Sequence, residues 1–201
     1  MVRAVIFDIG GVLELTPPTG FRERWEKSLG LGPGELDRRM DDVWRGGTLG
    51  TLSEPQVHSA CAEGLGLSAQ DLQAFMADFW AEYLGSANTE LIDYFRALRP
   101  RYRTGILSNS FVGARERERE TYGFEDMTDV IVYSNESGTG KPDPSIYRLV
   151  CERLQVEPAD AVFVDDHERA LEGARAVGMS AVLFRDNDQV IAELEVLLAP
   201  R

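Results

Sequence analysis

The sequence has few of the features that mark a secreted or membrane-embedded protein. Its 201 residues contain two cysteines, Cys61 and Cys151, which lie far apart and outside any Cys-x-x-Cys motif. We therefore expect buried thiols in a reducing compartment rather than a disulfide. No apolar run reaches the roughly 18 residues that span a bilayer, and no segment resembling a signal peptide precedes the first predicted strand. These absences predict a cytoplasmic protein without membrane contact.

Basic residues are also scarce. The chain has 21 Lys and Arg residues against 34 Asp and Glu residues, which gives a formal net charge of −13 at pH 7. This charge would repel the phosphates of a nucleic acid, so no nucleic-acid partner is expected, and anionic membranes are disfavoured for the same reason. A small anionic substrate is still compatible with the charge if a metal ion or a positive pocket reverses its sign locally. No pattern indicates an oligomeric state.

The composition is otherwise that of a globular protein, with 43% hydrophobic and 27% charged residues. Five short apolar runs without strict alternation predict strands of a parallel sheet that is buried on both faces. They lie at residues 2–7, 104–107, 130–133, 161–164 and 181–184. Helical patterns lie at residues 88–98, 111–122, 144–155, 167–177 and 188–198. This alternation predicts an α/β fold with a Rossmann-like parallel sheet and helices on both faces.

The stretch between the first and second strands has a different character. It lacks a strand-like run and contains four helical patterns, near residues 20–29, 33–45, 54–65 and 69–84. Capping-box sequences begin two of these helices, at Ser53 and Ser68. We therefore expect an α/β core domain over residues 1–14 and 86–201, interrupted by an all-helical domain over residues 15–85.

Reactive side chains follow four of the five predicted strands. Because the carboxyl ends of parallel strands meet at the edge where open sheets bind ligands, we expect these side chains to lie together. They are Asp8 after the first strand, Ser108 and Asn109 after the second, Lys141 after the third, and Asp165 and Asp166 after the fourth. Taken singly, an aspartate here is also typical of a turn or a helix N-cap, and Lys141 of an exposed loop. Together they indicate a functional site.

Three carboxylates in one crevice would repel one another strongly. A divalent cation removes this repulsion, and a small set of oxygen ligands favours Mg²⁺ over Ca²⁺ or Zn²⁺. The two histidines, His58 and His167, are isolated in the sequence and are expected to be surface residues. A helix predicted to begin at residue 111, close to Ser108, and the charge of Lys141 both suit a bound anion. These features are typical of an enzyme that forms an aspartyl phosphate.

Four segments, in this order along the chain, resemble the four motifs of the haloacid dehalogenase (HAD) superfamily. They are Phe-Asp-Ile-Gly-Gly-Val-Leu at residues 7–13, Leu-Ser-Asn-Ser at 107–110, Gly-Lys-Pro-Asp-Pro at 140–144 and Val-Asp-Asp at 164–166. The helical insert is similar in position to a C1-type cap, and the Asp-x-Gly-Gly form of motif one resembles a phosphatase-like subfamily. The resemblance covers essentially the whole chain and implies a cap that closes over the site and excludes water.

The resemblance also implies roles in phosphoryl transfer. Asp8 is expected to be the nucleophile. Ser108, Asn109 and Lys141 are expected to bind the phosphoryl group, with Lys141 bridging that group and Asp8.

The same resemblance implies a magnesium site. Asp8 is expected to bind Mg²⁺ through its carboxylate, and Gly10 through its backbone carbonyl. Asp165 and Asp166 are expected to complete the site, and the resemblance leaves open which of the two contacts the ion directly.

Residue 10 departs from the usual pattern of HAD phosphatases. These enzymes usually carry a second aspartate two residues after the nucleophile, as general acid and then base, and here that residue is Gly10. General acid–base help is typically worth roughly 10²–10⁴-fold in rate. Glu14 is a nearby carboxyl that could replace it, although a solvated position is the more usual one for such a residue.

Three functions therefore stay open. The first is Mg²⁺-dependent hydrolysis of a small phosphorylated metabolite, with sugar phosphates among the candidates, through a phospho-Asp8 intermediate. The second is a catalytically weak or inactive member that binds ligands or regulates, because Gly10 removes the usual acid. The third is 2-haloacid dehalogenation, which needs no Mg²⁺ and which the Asp165-Asp166 pair disfavours.

Overall fold

The computed structural model describes residues 1–199 as an α/β structure. The strands are β1 (Ala4–Phe7), β2 (Glu14–Leu15), β3 (Ser86–Ala87), β4 (Arg103–Ser108), β5 (Val130–Tyr133), β6 (Ala161–Asp165) and β7 (Ser180–Leu183). The helices are α1 (Phe21–Leu29), α2 (Glu35–Leu49), α3 (Glu54–Leu65), α4 (Ala69–Leu84), α5 (Thr89–Leu98), α6 (Ala114–Tyr122), α7 (Phe124–Met127), α8 (Ser134–Ser137), α9 (Pro144–Leu154), α10 (Glu168–Ala176) and α11 (Asn187–Leu198).

Five of these strands form one parallel sheet in the order β5-β4-β1-β6-β7. All five were expected from the apolar runs, and the register places Phe7 beside Ile106 on one side and Val164 on the other. β1 and β6 are fully buried, which explains why neither shows an alternating pattern. The predicted fold class, a Rossmann-like parallel sheet with an inserted helical segment, is confirmed.

Helices cover both faces of the sheet. On one face α5 packs against β1, with the rings of Phe7 and Phe95 4.9 Å apart, and α11 packs against β7 and α5. On the other face α9 and α10 pack against β6, and the rings of Tyr147 and Phe163 lie 5.7 Å apart. Burial of each such side chain contributes about 1.5–3 kcal/mol to the free energy of folding.

The sequence does not predict the second, two-stranded sheet. β2 and β3 pair antiparallel, with Glu14 opposite Ala87 and Leu15 opposite Ser86. Each strand has two residues, which is too short to produce a recognisable pattern. The pair joins the two ends of the helical segment where it leaves and re-enters the larger sheet.

Helices α1–α4 lie between β2 and β3, as the sequence predicts. The Ser53 backbone N–H donates to Gln56 Oε1 at 2.8 Å, and the Ser68 hydroxyl accepts from the Asp71 N–H at 3.1 Å, so both predicted caps are present. The apolar faces meet in an aromatic cluster in which Trp44 stacks on Phe79 at 5.4 Å. Within the described chain, none of these or the other helices has the length and apolar character needed to cross a membrane.

Both cysteines are buried thiols, as expected. Cys61 lies in the core of the helical segment, and Cys151 lies on the sheet-facing side of α9. Burial raises the pKa of each thiol to about 11.

The predicted helix at residue 111 begins instead at Ala114. Phe111 is 4% exposed because its ring packs into the aromatic cluster of the helical segment, 5.1 Å from Phe79. The Val112 N–H donates to the carbonyl of Gly47 in α2 at 3.2 Å. These long-range contacts hold residues 111–113 outside the helix, so the anion site expected at a helix N-terminus beside Ser108 is not formed there.

The contact between Gly47 and Phe111 gives a stability prediction. A Cβ atom on Gly47 would lie 2.2 Å from the Phe111 ring, whereas one on Gly64 in α3 would meet only the flexible end of Met40, at 2.5 Å. In a helix interior alanine is more favourable than glycine by about 1 kcal/mol, so Gly64→Ala is expected to be neutral or stabilising. Gly47→Ala is expected to lower the free energy of unfolding by about 1–3 kcal/mol, because the ring must move. Urea denaturation measures both, and equal stability of the two variants would contradict the packing described.

Candidate active site

A cavity of about 660 Å³ opens at the carboxyl ends of β1, β4 and β6. All the residues that the sequence singles out for the site line it. They are Asp8, Gly10, Ser108, Asn109, Lys141, Asp165 and Asp166. The sheet order explains this convergence, because β1 lies between β4 and β6 and the three strands end at one edge.

The Lys141 ammonium group lies between two carboxylates. Its Nζ atom is 2.7 Å from Asp8 Oδ1 and 2.6 Å from Asp165 Oδ2. The side chains are 5%, 9% and 1% exposed for Lys141, Asp8 and Asp165. Charges buried this deeply are tolerated when they are paired and hydrogen-bonded, and here each carboxylate compensates the same ammonium group.

Burial and charge act in opposite directions on these groups. Burial raises the pKa of the Asp8 carboxyl from 3.8 to about 7, while the Lys141 charge opposes the rise and the Asp165 charge adds to it. Burial alone would lower the pKa of Lys141, but the charges of Asp8 and Asp165 outweigh it and raise that pKa. Lys141 therefore stays charged. The ionised form of the Asp8 carboxyl is favoured by the positive charge of Lys141 and opposed by burial and by the charge of Asp165.

The two adjacent aspartates on β6 and the following turn differ in their surroundings. Asp165 accepts from the His167 N–H at 2.7 Å with its second oxygen, so both of its oxygens are engaged. Asp166 is 28% exposed, and its Oδ1 lies 2.6 Å from His167 Nδ1. His167 is 76% exposed, as expected for a surface residue, and the hydrogen bond to Asp166 raises its pKa.

Gly11 allows Asp166 to approach the loop after β1. A Cβ atom at position 11 would lie 2.3 Å from Asp166 Oδ2, and the backbone φ of +76° is itself unfavourable for other residues. The Asp166 carboxylate is thereby held against the loop that carries Asp8. Together with the contacts of Lys141, this brings three carboxylates and one ammonium group into the same cavity.

Asn109 and Lys141 are held together through the backbone. Asn109 Oδ1 accepts from the Lys141 N–H at 2.7 Å, and Asn109 Nδ2 donates to the Lys141 carbonyl at 2.9 Å. This double contact fixes the loop after α8 to the end of β4, and so fixes the point from which the Lys141 side chain enters the cavity. Ser108, the last residue of β4, is 4% exposed and lines the same wall.

Position 10 is open. A Cβ atom on Gly10 would meet no heavy atom within 4 Å. The space next to residue 10 is therefore not filled by any neighbouring side chain.

The structure overturns the expectation that Glu14 is solvated. Glu14 is 1% exposed and lies in the cavity wall at the start of β2. Burial raises its pKa to about 10, and the charges of Glu118 and Asp8 add to the rise. Glu118 is equally buried and accepts a hydrogen bond from the Tyr133 hydroxyl. One oxygen of each glutamate, Oε1, has no hydrogen-bond partner among residues 1–199.

Several cavity residues carry no sequence signal. Thr16, Glu82 and Tyr83 line the cavity from the ends of the helical segment, and Arg169 lines it from α10. The Tyr83 hydroxyl lies 3.0 Å from Ser110 Oγ and accepts from the Phe111 N–H at 3.3 Å. Helical spacing identifies the buried side of α4, but not which part of that side meets the sheet domain.

The buried Glu118 gives a pH-dependent stability prediction. Burial raises its pKa from 4.5 to about 7 in the folded protein. The folded state therefore binds the proton more tightly than the unfolded state, and stability falls as the pH rises from about 4.5 to 7. We expect Glu118→Gln to be more stable than the parent by on the order of 2 kcal/mol at pH 8, with the difference shrinking toward pH 5.

Urea denaturation at pH 5 and pH 8 measures this difference. Glu116→Gln, at an exposed position of the same helix, is the matched control and should show no comparable pH dependence. A Glu118→Gln advantage that is the same at both pH values would contradict the assignment.

Known proteins are similar to this chain over most of its length. The family model for haloacid dehalogenase-like hydrolases matches residues 2–178. Phosphatase MT3486 of Mycobacterium tuberculosis is 30% identical over 98% of this chain and 95% of its own length. Bifunctional epoxide hydrolase 2 of Sus scrofa is 28% identical over 96% of this chain, which spans 38% of that protein. The HAD family enzyme bt-2542 of Bacteroides thetaiotaomicron, solved with magnesium and inorganic phosphate, shares the fold with a TM-score of 0.78 and 21% identity, over 94% of this chain and 99% of its own. The chain belongs to the haloacid dehalogenase-like hydrolases.

Proposed function

We propose that this protein is a Mg²⁺-dependent phosphatase that acts on small phosphorylated metabolites through a phospho-aspartate on Asp8. The observation that carries the proposal is the Lys141 ammonium group held between Asp8 and Asp165 in a cavity that also contains Asp166. A carboxylate nucleophile beside a fixed positive charge suits phosphoryl transfer, in which charge on the phosphoryl oxygens must be stabilised. The similarity to the M. tuberculosis phosphatase supports the same reaction.

The carboxylates of the cavity fit a Mg²⁺ ion. Asp8, Asp165 and Asp166 line the same cavity, and Lys141 pairs with the first two, so the ionised carboxylates carry an excess negative charge that a divalent cation would balance. We assign the ion to the carboxylates of Asp8 and Asp166 and to the Gly10 carbonyl, with Asp165 contributing directly or through water. Asp166 is the better placed of the pair, because both Asp165 oxygens already accept hydrogen bonds. When bound, the ion supplies Lewis-acid stabilisation of the phosphoryl oxygens.

The residues of this chain divide the reaction into two steps. A carboxylate oxygen of Asp8 attacks phosphorus in line, the bond between phosphorus and the leaving oxygen breaks, and that oxygen takes up a proton from water, because residue 10 carries no acid. Water then attacks the phosphorus of the acyl phosphate, which releases inorganic phosphate and restores the Asp8 carboxylate. Lys141 and Ser108 are assigned to the phosphoryl oxygens. Asn109 is assigned to the phosphoryl group as well, and its side-chain amide also positions Lys141, since its oxygen and nitrogen contact the Lys141 backbone.

The helical segment serves in this proposal as a cap. We place the core domain at residues 1–14 and 86–201 and the cap at residues 15–85. The wall formed by Thr16, Glu82 and Tyr83 supports this division, because it brings the ends of the cap to the cavity that holds Asp8. Such a cap contacts the leaving group and limits the access of water. Sugar phosphates are the substrate class to test first.

Two other activities are distinguishable by one screen of phosphorylated metabolites and 2-haloacids, with Mg²⁺ and with EDTA. A binding or regulatory protein, which Gly10 favours, would show ligand-induced shifts in melting temperature without release of phosphate. A 2-haloacid dehalogenase would release halide in EDTA. The proposed phosphatase releases phosphate with Mg²⁺ and loses that activity in EDTA.

Removal of the nucleophile tests the proposal directly. Asp8→Asn is expected to reduce phosphate release by roughly 10³-fold or more, because an amide cannot form the acyl phosphate. The variant keeps the size of the side chain, so its melting temperature should show that it is folded. Asp41→Asn, at an exposed position of α2, is the control and should retain full activity. Undiminished hydrolysis by Asp8→Asn would end the proposal.

The open position at residue 10 gives a second prediction. Without an acid there, hydrolysis is expected to favour aryl or acyl phosphates over alkyl phosphates, because their leaving groups need less protonation. Gly10→Asp has room for its side chain and is expected to raise kcat for alkyl phosphates by at least about 10-fold. Gly10→Asn has the same size without the proton and should give no such gain. A rate profile in the parent protein that is independent of the leaving group would argue against this account.

A further inference from the structure

A second cavity, of about 640 Å³, lies at the opposite edge of the sheet from the candidate active site. Arg3 precedes β1, Arg103 begins β4 and Asp129 precedes β5, so these residues mark the amino ends of three neighbouring strands. Arg99 and Arg101 contribute from the turn between α5 and β4. We call the cavity lined by Arg3, Arg99, Arg101 and Arg103 the arginine pocket.

The arginine pocket is a positive region on an acidic protein. Four arginines line it in a chain of net charge −13, and Asp129 is the carboxylate among its lining residues. Asp129 is already engaged: Oδ1 is 3.0 Å from Arg99, and Oδ2 accepts from the Thr104 N–H at 2.8 Å. Arg101 and Arg103 are exposed, and within residues 1–199 neither forms an ion pair. Positive charge therefore remains in the pocket after its own carboxylate has been used.

The backbone that carries these arginines is fixed by hydrogen bonds. The Arg103 N–H donates to the Arg3 carbonyl at 2.9 Å, and the Arg3 N–H donates to the Asp160 carbonyl at 2.7 Å. The Arg101 N–H donates to the Leu98 carbonyl at 3.0 Å. A ligand would have to order side chains but not the chain itself, which lowers the entropic cost of binding.

We propose that the arginine pocket binds a small anion that carries two or more phosphate groups. Guanidinium groups pair with phosphate oxygens through two parallel hydrogen bonds, and Arg101 and Arg103, two residues apart, supply two such groups. The volume of the cavity is in the range of small-molecule sites. A multivalent ligand is required because the net charge of the protein repels anions, so affinity must come from several close contacts. The site is separate from the proposed phosphatase cavity and does not depend on its activity.

Pyrophosphate is the probe for this proposal. In EDTA, so that no Mg²⁺ links it to the carboxylates of the other cavity, pyrophosphate is titrated into ¹⁵N-labelled full-length protein. We expect the backbone amide signals of residues 101–104 to shift, with an apparent affinity that falls as NaCl is raised. Shifts confined to residues 108–109 and 141 would overturn the proposal, because they would place the anion in the phosphatase cavity.

Paired variants make the result specific. The double variant Arg101→Gln and Arg103→Gln is expected to weaken pyrophosphate binding by at least about 10-fold. The control Arg38→Gln and Arg119→Gln removes the same charge from exposed helix positions outside the pocket and should bind as the parent does. Equal loss in both would show a net-charge effect and overturn the proposal, as would citrate binding at residues 101–104 as tightly as pyrophosphate. A glutamate decapeptide that shifts these signals when pyrophosphate does not would assign the pocket to an acidic protein segment instead.

Discussion

The structure depends most on one ammonium group shared by two buried carboxylates. Lys141, Asp8 and Asp165 come from three distant parts of the chain, and loss of Lys141 would leave both buried carboxylates without their shared compensating charge. The order of β4, β1 and β6 brings the two aspartates to one edge, and the Asn109 contacts fix the backbone from which Lys141 reaches them. The fold thus brings two carboxylates to one ammonium group. The negative charge that Lys141 leaves uncompensated is what suits the cavity to a cation.

Charge is distributed unequally between the two edges of the sheet. Carboxylates collect where the strands end, around Asp8 and Asp166, and guanidinium groups collect where they begin, around Arg3 and Arg103. Neither cluster extends through the sheet, because the residues between them, such as Ile6 and Phe163, are fully buried and apolar. The two clusters of opposite charge are therefore kept at separate ends of the strands and do not pair with each other.

Local sequence was sufficient for the features that depend on local order. Asp8, Lys141 and Asp166 could be placed because each follows an apolar run, and parallel strands end at one edge whatever the rest of the chain does. Glu14 and Phe111 could not be placed, because their burial depends on segments distant in sequence. Residues 14–15 pair with residues 86–87, and Glu14 lies close enough to Glu118 and Asp8 for their charges to raise its pKa. The Phe111 ring packs 5.1 Å from that of Phe79, outside the helix that its own sequence pattern predicts. No periodicity within either segment contains that information.

The packing of Phe111 against Gly47 also determines how readily the helical segment can be exchanged without the rest of the chain. The aromatic cluster of α1–α4 is completed by a side chain that belongs to the sheet domain, so the segment does not contain all of its own core. In a chimera that replaces residues 15–85 with the equivalent part of a relative, the Phe111 ring would pack against side chains from a different protein. Grafts of this kind should transfer residues 111–114 with the donor helices, because compatibility is set at that contact more than at the two points where the chain is joined.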